Sequence, residues 1–157
     1  MLRFCVVMFT EVTRRSHLFQ ENEMSETVIF ENEFFTLKYH DDTKIVHHEC
    51  HQYLFGDELR NCLNRGLEVL AEHHAAKWLS DDRKTSALTP DDGKWSENEW
   101  APKAFRNGWR YWAIVLPGKT VGKMAYNRIV RDPGITERLT VKVFSDPNEA
   151  YDWLKEQ

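Results

Sequence analysis

Five consecutive positions, His47-His48-Glu49-Cys50-His51, hold three imidazoles, a carboxylate and a thiol. All are groups that can bind zinc or move protons. Residues Ile45 to Tyr53 have strand composition, and on a strand successive side chains point to opposite faces. His47, Glu49 and His51 then share one face, and His48 and Cys50 share the other. Residues two apart on one strand are separated by roughly 6.5–7 Å, so two of them can reach one ion and further ligands must come from elsewhere. His47, Glu49 and His51 form the candidate metal set. The competing reading is a strand with His and Glu toward solvent and Cys50 toward the core. No HExxH or CxxC spacing accompanies the cluster.

A second group lies further on. Asp81 and Asp82 leave a short strand, Arg83 and Lys84 follow, and Trp95 and Trp100 come from the next loop and helix. Carboxylates, cations and indoles at the carboxyl edge of a sheet can hold a small ligand or a partner peptide. Asp81 and Asp82 could also serve as an acid/base pair. The structural alternative is ion pairing of the aspartates with Arg83 and Lys84, with the tryptophans covering the core. Ala113 to Thr120 loosely fits a phosphate-binding loop, but its middle is Ile-Val-Leu-Pro, the end of a strand rather than a flexible loop.

The elements that position these residues can be read from patterning. Phe34–His40 and Lys44–Tyr53 read as a hairpin around Asp41-Asp42. A helix opens at Gly56-Asp57-Glu58, with Leu59, Cys62, Leu63, Leu67 and Leu70 at helical spacing, and ends near His73-His74. Residues 76–80 form a strand. Ser96-Glu97-Asn98-Glu99 has the form of a capping box, which predicts a helix to Arg106 or Asn107 with a kink or break at Pro102 and Gly108 after its end. Trp109–Leu116 reads as a central strand, Val121–Ile129 as a helix stopped by Asp132-Pro133-Gly134, and Leu139–Phe144 as a strand. Asp146-Pro147-Asn148-Glu149 caps a last helix. The order ββαβαβαβα predicts an α/β sandwich with a mostly parallel sheet opened by an N-terminal antiparallel hairpin.

The totals bound the function. A chain of 157 residues, 41% hydrophobic and 29% charged, suits one globular domain. A net charge of −4 argues against a general nucleic-acid binder. No apolar run reaches membrane-spanning length. Cys5, Cys50 and Cys62 are an odd set without a CxxC pair, which suits free thiols in a cytoplasmic protein. Residues 1–23 read as an extension outside the natural fold, because Met24 opens an ordinary-looking start; residues 24–157 would form the single domain.

The layout resembles the SpoIIAA-like branch of the STAS family (sulfate transporter and anti-sigma-factor antagonist domains). The resemblance lies in FGDELRNCLNRGLEVL, KWLSDDRK, DDGKWSENEWAPKAFRNGWRYWAIVLP and VFSDPNEAYDWL. In the last segment Phe144, Asp146, Glu149, Ala150, Trp153 and Leu154 match the family's closing pattern F-x-D-x-x-E-A-x-x-W-L. The resemblance implies a non-enzymatic regulatory or binding module without cofactor, whose partner is a protein or a small molecule. It also implies a phosphorylatable serine in an Asp-Ser-Ser/Thr-Gly turn after the third strand. Here that turn is replaced by Ser80-Asp81-Asp82-Arg83-Lys84-Thr85-Ser86, which lacks both the glycine and the Asp-Ser pair; Ser80, Thr85 and Ser86 are the available hydroxyls. Two readings stand beside the binding module. One is a metal-binding or hydrolytic enzyme using His47, Glu49 and His51 or the Asp81/Asp82 pair. The other is a homodimer joined through the hairpin edge or the tryptophans.

Overall fold

The computed structural model describes residues 25–129 and 131–157, so the extension expected over residues 1–23 lies outside the described residues. Six strands form one sheet in the order of the chain: β1 (Glu26–Glu31), β2 (Phe35–His40), β3 (Ile45–Cys50), β4 (Lys77–Asp81), β5 (Tyr111–Val115) and β6 (Thr140–Phe144). The first three strands pair antiparallel and the last four pair parallel. This is the expected mostly parallel sheet opened by a hairpin, with one strand more than the sequence pattern indicates. β1 escapes that pattern because Glu26–Glu31 is almost wholly exposed and carries no alternation.

The register divides the side chains between two faces. Phe35, Leu37, Tyr39, Val46, Cys50 and Trp78 point to one side, where they meet Leu59, Cys62, Val69 and Leu70 of α1 (Gly56–Glu72). Ile45, Leu79, Ala113 and Val115 point to the other, under Ala150, Tyr151 and Leu154 of α6 (Pro147–Lys155). The capping residues expected for α6 are in place, with the Asp146 carboxylate accepting from the Asn148 amide at 2.7 Å.

The middle helical segment departs from expectation. It starts at α2 (Pro90–Trp95), where Thr89 Oγ1 accepts from the Asp92 amide. A π-helical turn over Ser96–Trp100 and α3 (Ala101–Arg106) continue it. Ser96 therefore sits inside the helical run rather than capping it. Thr89-Pro90-Asp91-Asp92 carries the stronger start signal, with proline at the first helical position. The break expected near Pro102 takes the form of the π turn, which leaves Pro102 in the first turn of α3, where its missing N–H is tolerated. The buried Asp92 carboxylate anchors this segment by accepting from the Gly56 amide at 2.9 Å, at the start of α1.

Two more helices, α4 (Lys119–Ile129) and α5 (Pro133–Thr136), lie between β5 and β6. Gly108 has φ of +102°, in the left-handed region that glycine tolerates, and turns the chain from α3 into β5. Among the described residues no helix is long and apolar enough to cross a membrane.

Candidate functional site: a tryptophan-lined cavity at the ends of the parallel strands

In the parallel part of the sheet, β3 pairs His48 with Ser80, and β4 pairs Trp78 with Trp112 and Ser80 with Ile114. These residues share the α1 face. Above them stand α1, the α2–α3 segment and α5, which do not close over the sheet face between Trp109, before β5, and Asp82, after β4. A cavity of about 740 Å³ remains. Its walls are mainly apolar, from Leu54, Leu59, Leu63, Phe105, Ile114 and Leu139, with four tryptophans, Trp78, Trp100, Trp109 and Trp112. The tryptophans pack edge to face or tilted, with ring centroids 5.3–6.1 Å apart.

Glu97, Arg106, Asp132 and Arg138 also line it, and a hydrogen-bonded polar cluster lies on its sheet side. His48 Nδ1 lies 3.0 Å from Trp78 Nε1, and His48 Nε2 lies 3.0 Å from Asp82 Oδ1. An indole N–H can only donate, so Nδ1 is the acceptor and Nε2 carries the proton, which it donates to Asp82. Cys50 donates its S–H to the same Asp82 oxygen, at 3.6 Å. Burial, reinforced by the charge of Asp82, pushes the Cys50 thiol well above its ordinary value. Nearby, Trp112 Nε1 donates to the buried Ser80 hydroxyl at 2.9 Å.

His48, Cys50 and Asp82 have the composition of a nucleophile, a base and an orienting acid, yet they are not wired as one. A working set needs the thiol to donate to the imidazole and the imidazole to the carboxylate. Here both imidazole nitrogens are already engaged, by Trp78 and Asp82, and the thiol bonds past the histidine to the acid. Their ligand atoms do converge within 4.8 Å, the one such trio among the described residues. A metal on Nε2 would shift the imidazole proton to Nδ1, against the Trp78 N–H, so coordination would set donor against donor.

The residues singled out from sequence scatter over this geometry. Asp82 and Trp100 line the cavity. Asp81 projects to the opposite face, where both its oxygens hold the Arg83 guanidinium at 2.7 and 2.8 Å. Burial alone would raise Asp81, but the Arg83 hydrogen bonds and charge hold it below the usual carboxylate range. Asp81 and Asp82 thus do not form a pair. Lys84 is exposed, and Trp95 lies beneath the Arg60 guanidinium at 5.2 Å. Of the hydroxyls, Ser80 is buried and inaccessible to a kinase in the folded protein. Thr85 accepts from the Leu54 amide at 3.0 Å, and Ser86 stands exposed at the cavity wall.

The set His47, Glu49 and His51 ends on three different neighbours. His47 Nδ1 lies 3.3 Å from His40 Nε2, Glu49 3.7 Å from Lys38 Nζ, and His51 Nε2 2.7 Å from Thr36 Oγ1. Strand alternation places His48 and Cys50 together. Extended through Trp78, Ser80 and Asp82, it places those three on one face as well. The contribution of Trp109 and Trp112 depends on the parallel pairing of β4 with β5, which no short-range pattern shows.

The sequence matches no family model and no curated protein. Among solved structures, the chain is similar to an uncharacterized protein of the DUF3478 family with a SpoIIAA-like fold from Shewanella loihica PV-4. The likeness covers 82% of this chain and 99% of that one, at 16% identity and a TM-score of 0.54. With its antiparallel opening, its parallel strands and its closing helix, the chain has a SpoIIAA-like α/β fold.

Proposed function

We propose that this protein is a non-enzymatic binding module that takes a small, mainly apolar molecule into the cavity that runs along the α1 face of β4 and β5 to the carboxyl edge of the sheet at Asp82. The observation that carries this reading is the cavity itself: about 740 Å³, walled mainly by tryptophans and aliphatic side chains, with the His48–Cys50–Asp82 cluster and a few charged side chains, among them Glu97 and Arg138, in its lining. Ligand sites have this size and make-up, and in α/β sheets they open at the carboxyl edge, which this cavity reaches at Asp82. The wiring of His48, Cys50 and Asp82 supports binding over catalysis, because the histidine has no nitrogen left to act as a base for the thiol. A regulatory role would follow if an occupied cavity changes the surface that a protein partner meets.

Native mass spectrometry of the untagged protein from its own host, with and without organic extraction, tests the reading. A small molecule that leaves on extraction is expected. Ala101→Trp, which fills the cavity from α3, should abolish retention in a protein that remains folded. Folded wild-type protein that retains nothing and takes up no apolar fluorescent dye would remove the proposal. Retention of a protein instead would move the binding surface elsewhere.

A further inference from the structure

Three arginines lie about one corner of the cavity, where α3 gives way to β5. The Arg138 guanidinium lies over the Phe105 ring, 5.4 Å from its centroid, and that ring stacks on Trp109 with centroids 5.6 Å apart. Arg110 donates from Nη1 to the carbonyls of Phe105 and Trp109, at 3.1 and 2.6 Å. Arg106 closes α3 directly after Phe105 and, with Arg138, lines the cavity. All three arginines are exposed, and none forms an ion pair with an acid among the described residues.

The acids of the same lining are engaged or placed elsewhere. Asp82 receives His48 and Cys50. Asp132 caps α5, its carboxylate accepting from the Gly134 amide at 2.9 Å. Glu97 stands on the π-helical turn, nine residues before Arg106 on the same helical run, which is roughly 13 Å along a helix axis. The charge left open beside Phe105 is therefore positive. Contact with an aromatic face uses the π side of a guanidinium and leaves its N–H edge for an acceptor. That edge matches two oxygens of a carboxylate, sulfonate or phosphate.

We infer that the ligand of the cavity is an amphipathic anion, with an apolar body among the tryptophans and one acidic group at the Phe105 corner, held by Arg138 and Arg106. The inference rests on the reading of the cavity as a ligand site and adds to it the ligand's charge and the end at which that charge sits. Arg110, fixed on two backbone carbonyls, adds its charge to the corner. Because these arginines are exposed, the acidic group keeps part of its hydration, so little desolvation opposes its binding.

Two dyes isolate the acidic group: anilinonaphthalene sulfonate, and phenylnaphthylamine, which is the same skeleton without the sulfonate. Both fluoresce in apolar surroundings, so binding to the full-length protein is read directly. The sulfonate dye should bind more tightly, and each dye should displace the other. Arg138→Gln should weaken the sulfonate dye by roughly three- to tenfold and leave phenylnaphthylamine unchanged. Arg138→Lys, which keeps the charge but not the fork of donors, should lose less. Arg106→Gln combined with Arg138→Gln should remove the preference altogether. Added salt should weaken only the sulfonate dye.

Equal affinity of wild-type protein for the two dyes, or a sulfonate dye that phenylnaphthylamine does not displace, overturns the inference while the cavity remains a binding site. So does a double variant that still prefers the sulfonate dye. If neither dye binds, the proposed function fails with it. The comparison on wild-type protein decides the matter even if a variant does not fold.

Discussion

His47 and His48 are neighbours in the chain and stand on opposite faces of the sheet, and the two faces treat an imidazole differently. On the α1 face, His48 has a partner at each nitrogen: an indole that donates and a carboxylate that accepts. On the α6 face, His47 and His40 stack with ring centroids 5.6 Å apart and share one contact between their facing nitrogens. Their outer nitrogens, His40 Nδ1 and His47 Nε2, are buried without partners among the described residues. The first arrangement is a satisfied network that fixes a cavity wall. The second is an unsatisfied pair, held by packing and vulnerable to protonation. Adjacent residues of the same type thus serve opposite ends, because the period of a strand is two.

The largest effect should come from the α1 face, at the contact that lets its network form. Gly66 lies where α1 crosses Trp78, and a Cβ there would come within 2.7 Å of Trp78 Cζ2 and closer still to the ring edge. Alanine is the better helix former by about 1 kcal/mol. Overpacking costs about 1–3 kcal/mol, and the obstacle is a ring fully enclosed in the core and hydrogen-bonded to His48, so it cannot swing away. The clash wins. Gly66→Ala should destabilise by about 2 kcal/mol in urea unfolding and also lower dye binding, because Trp78 forms a cavity wall. A neutral or stabilising Gly66→Ala would show that the tryptophan layer is soft, and the contrast between the faces would lose its basis.

Much of this contrast is legible in the sequence. Alternation splits HHECH correctly, with His47 and Glu49 on one side and His48 and Cys50 on the other. The Asp-Pro start of α6 and the glycine after α3 are where local chemistry requires them. The same alternation, applied to Asp81 and Asp82, separates them; only adjacency in the chain gives them the look of a pair. The Ser96 capping box is a real local signal overridden by an earlier one, Thr89, whose helix runs through it. The cavity is not legible, because it is a gap between elements far apart in sequence. Leu54, Trp78, Trp109 and Leu139 meet there only because four parallel strands bring them together.

The α6 face should respond to acid. Burial lowers His40 below the ordinary histidine value of 6.5, against the pull of Glu26 and Asp42. It pushes His47 down to about 3, helped by His40, Lys38 and His48 and opposed by Asp81. Both groups bind a proton more readily in the unfolded chain. Their stabilising contribution is therefore complete above pH 6.5 and is lost as pH falls below that value, toward about 3 for His47. Each histidine should then lower the folding constant about tenfold per pH unit within its window. Urea midpoints between about pH 7 and pH 5, above the carboxylate range, should fall for wild-type protein and fall less for His47→Leu, in which one of the two titrating groups is gone. Equal slopes would mean that the pair opens to water and is not held neutral by the fold.

The smallest effect should come from the pair most prominent in the sequence. Arg83 grips Asp81 through two hydrogen bonds, and Asp81 is buried while the Arg83 side chain is 41% exposed. An exposed cation loses much of its Coulomb energy to solvent and salt, so Arg83→Gln should cost no more than about 1 kcal/mol. The loss should show mainly at neutral pH. Asp81 is held below the usual carboxylate range, so its contribution is present above that range and disappears as pH falls through the lowered value. Removing Arg83 should raise the Asp81 value, which carbon-detected NMR titration of the carboxyl would show, and leave probe binding in the cavity unchanged, since the two lie on opposite faces. A change in probe affinity equal to that of Arg138→Gln would mean that the faces communicate through the Asp81-Asp82 backbone. The cavity would then be coupled to an exposed charge, which gives occupancy a route to the surface a partner would meet.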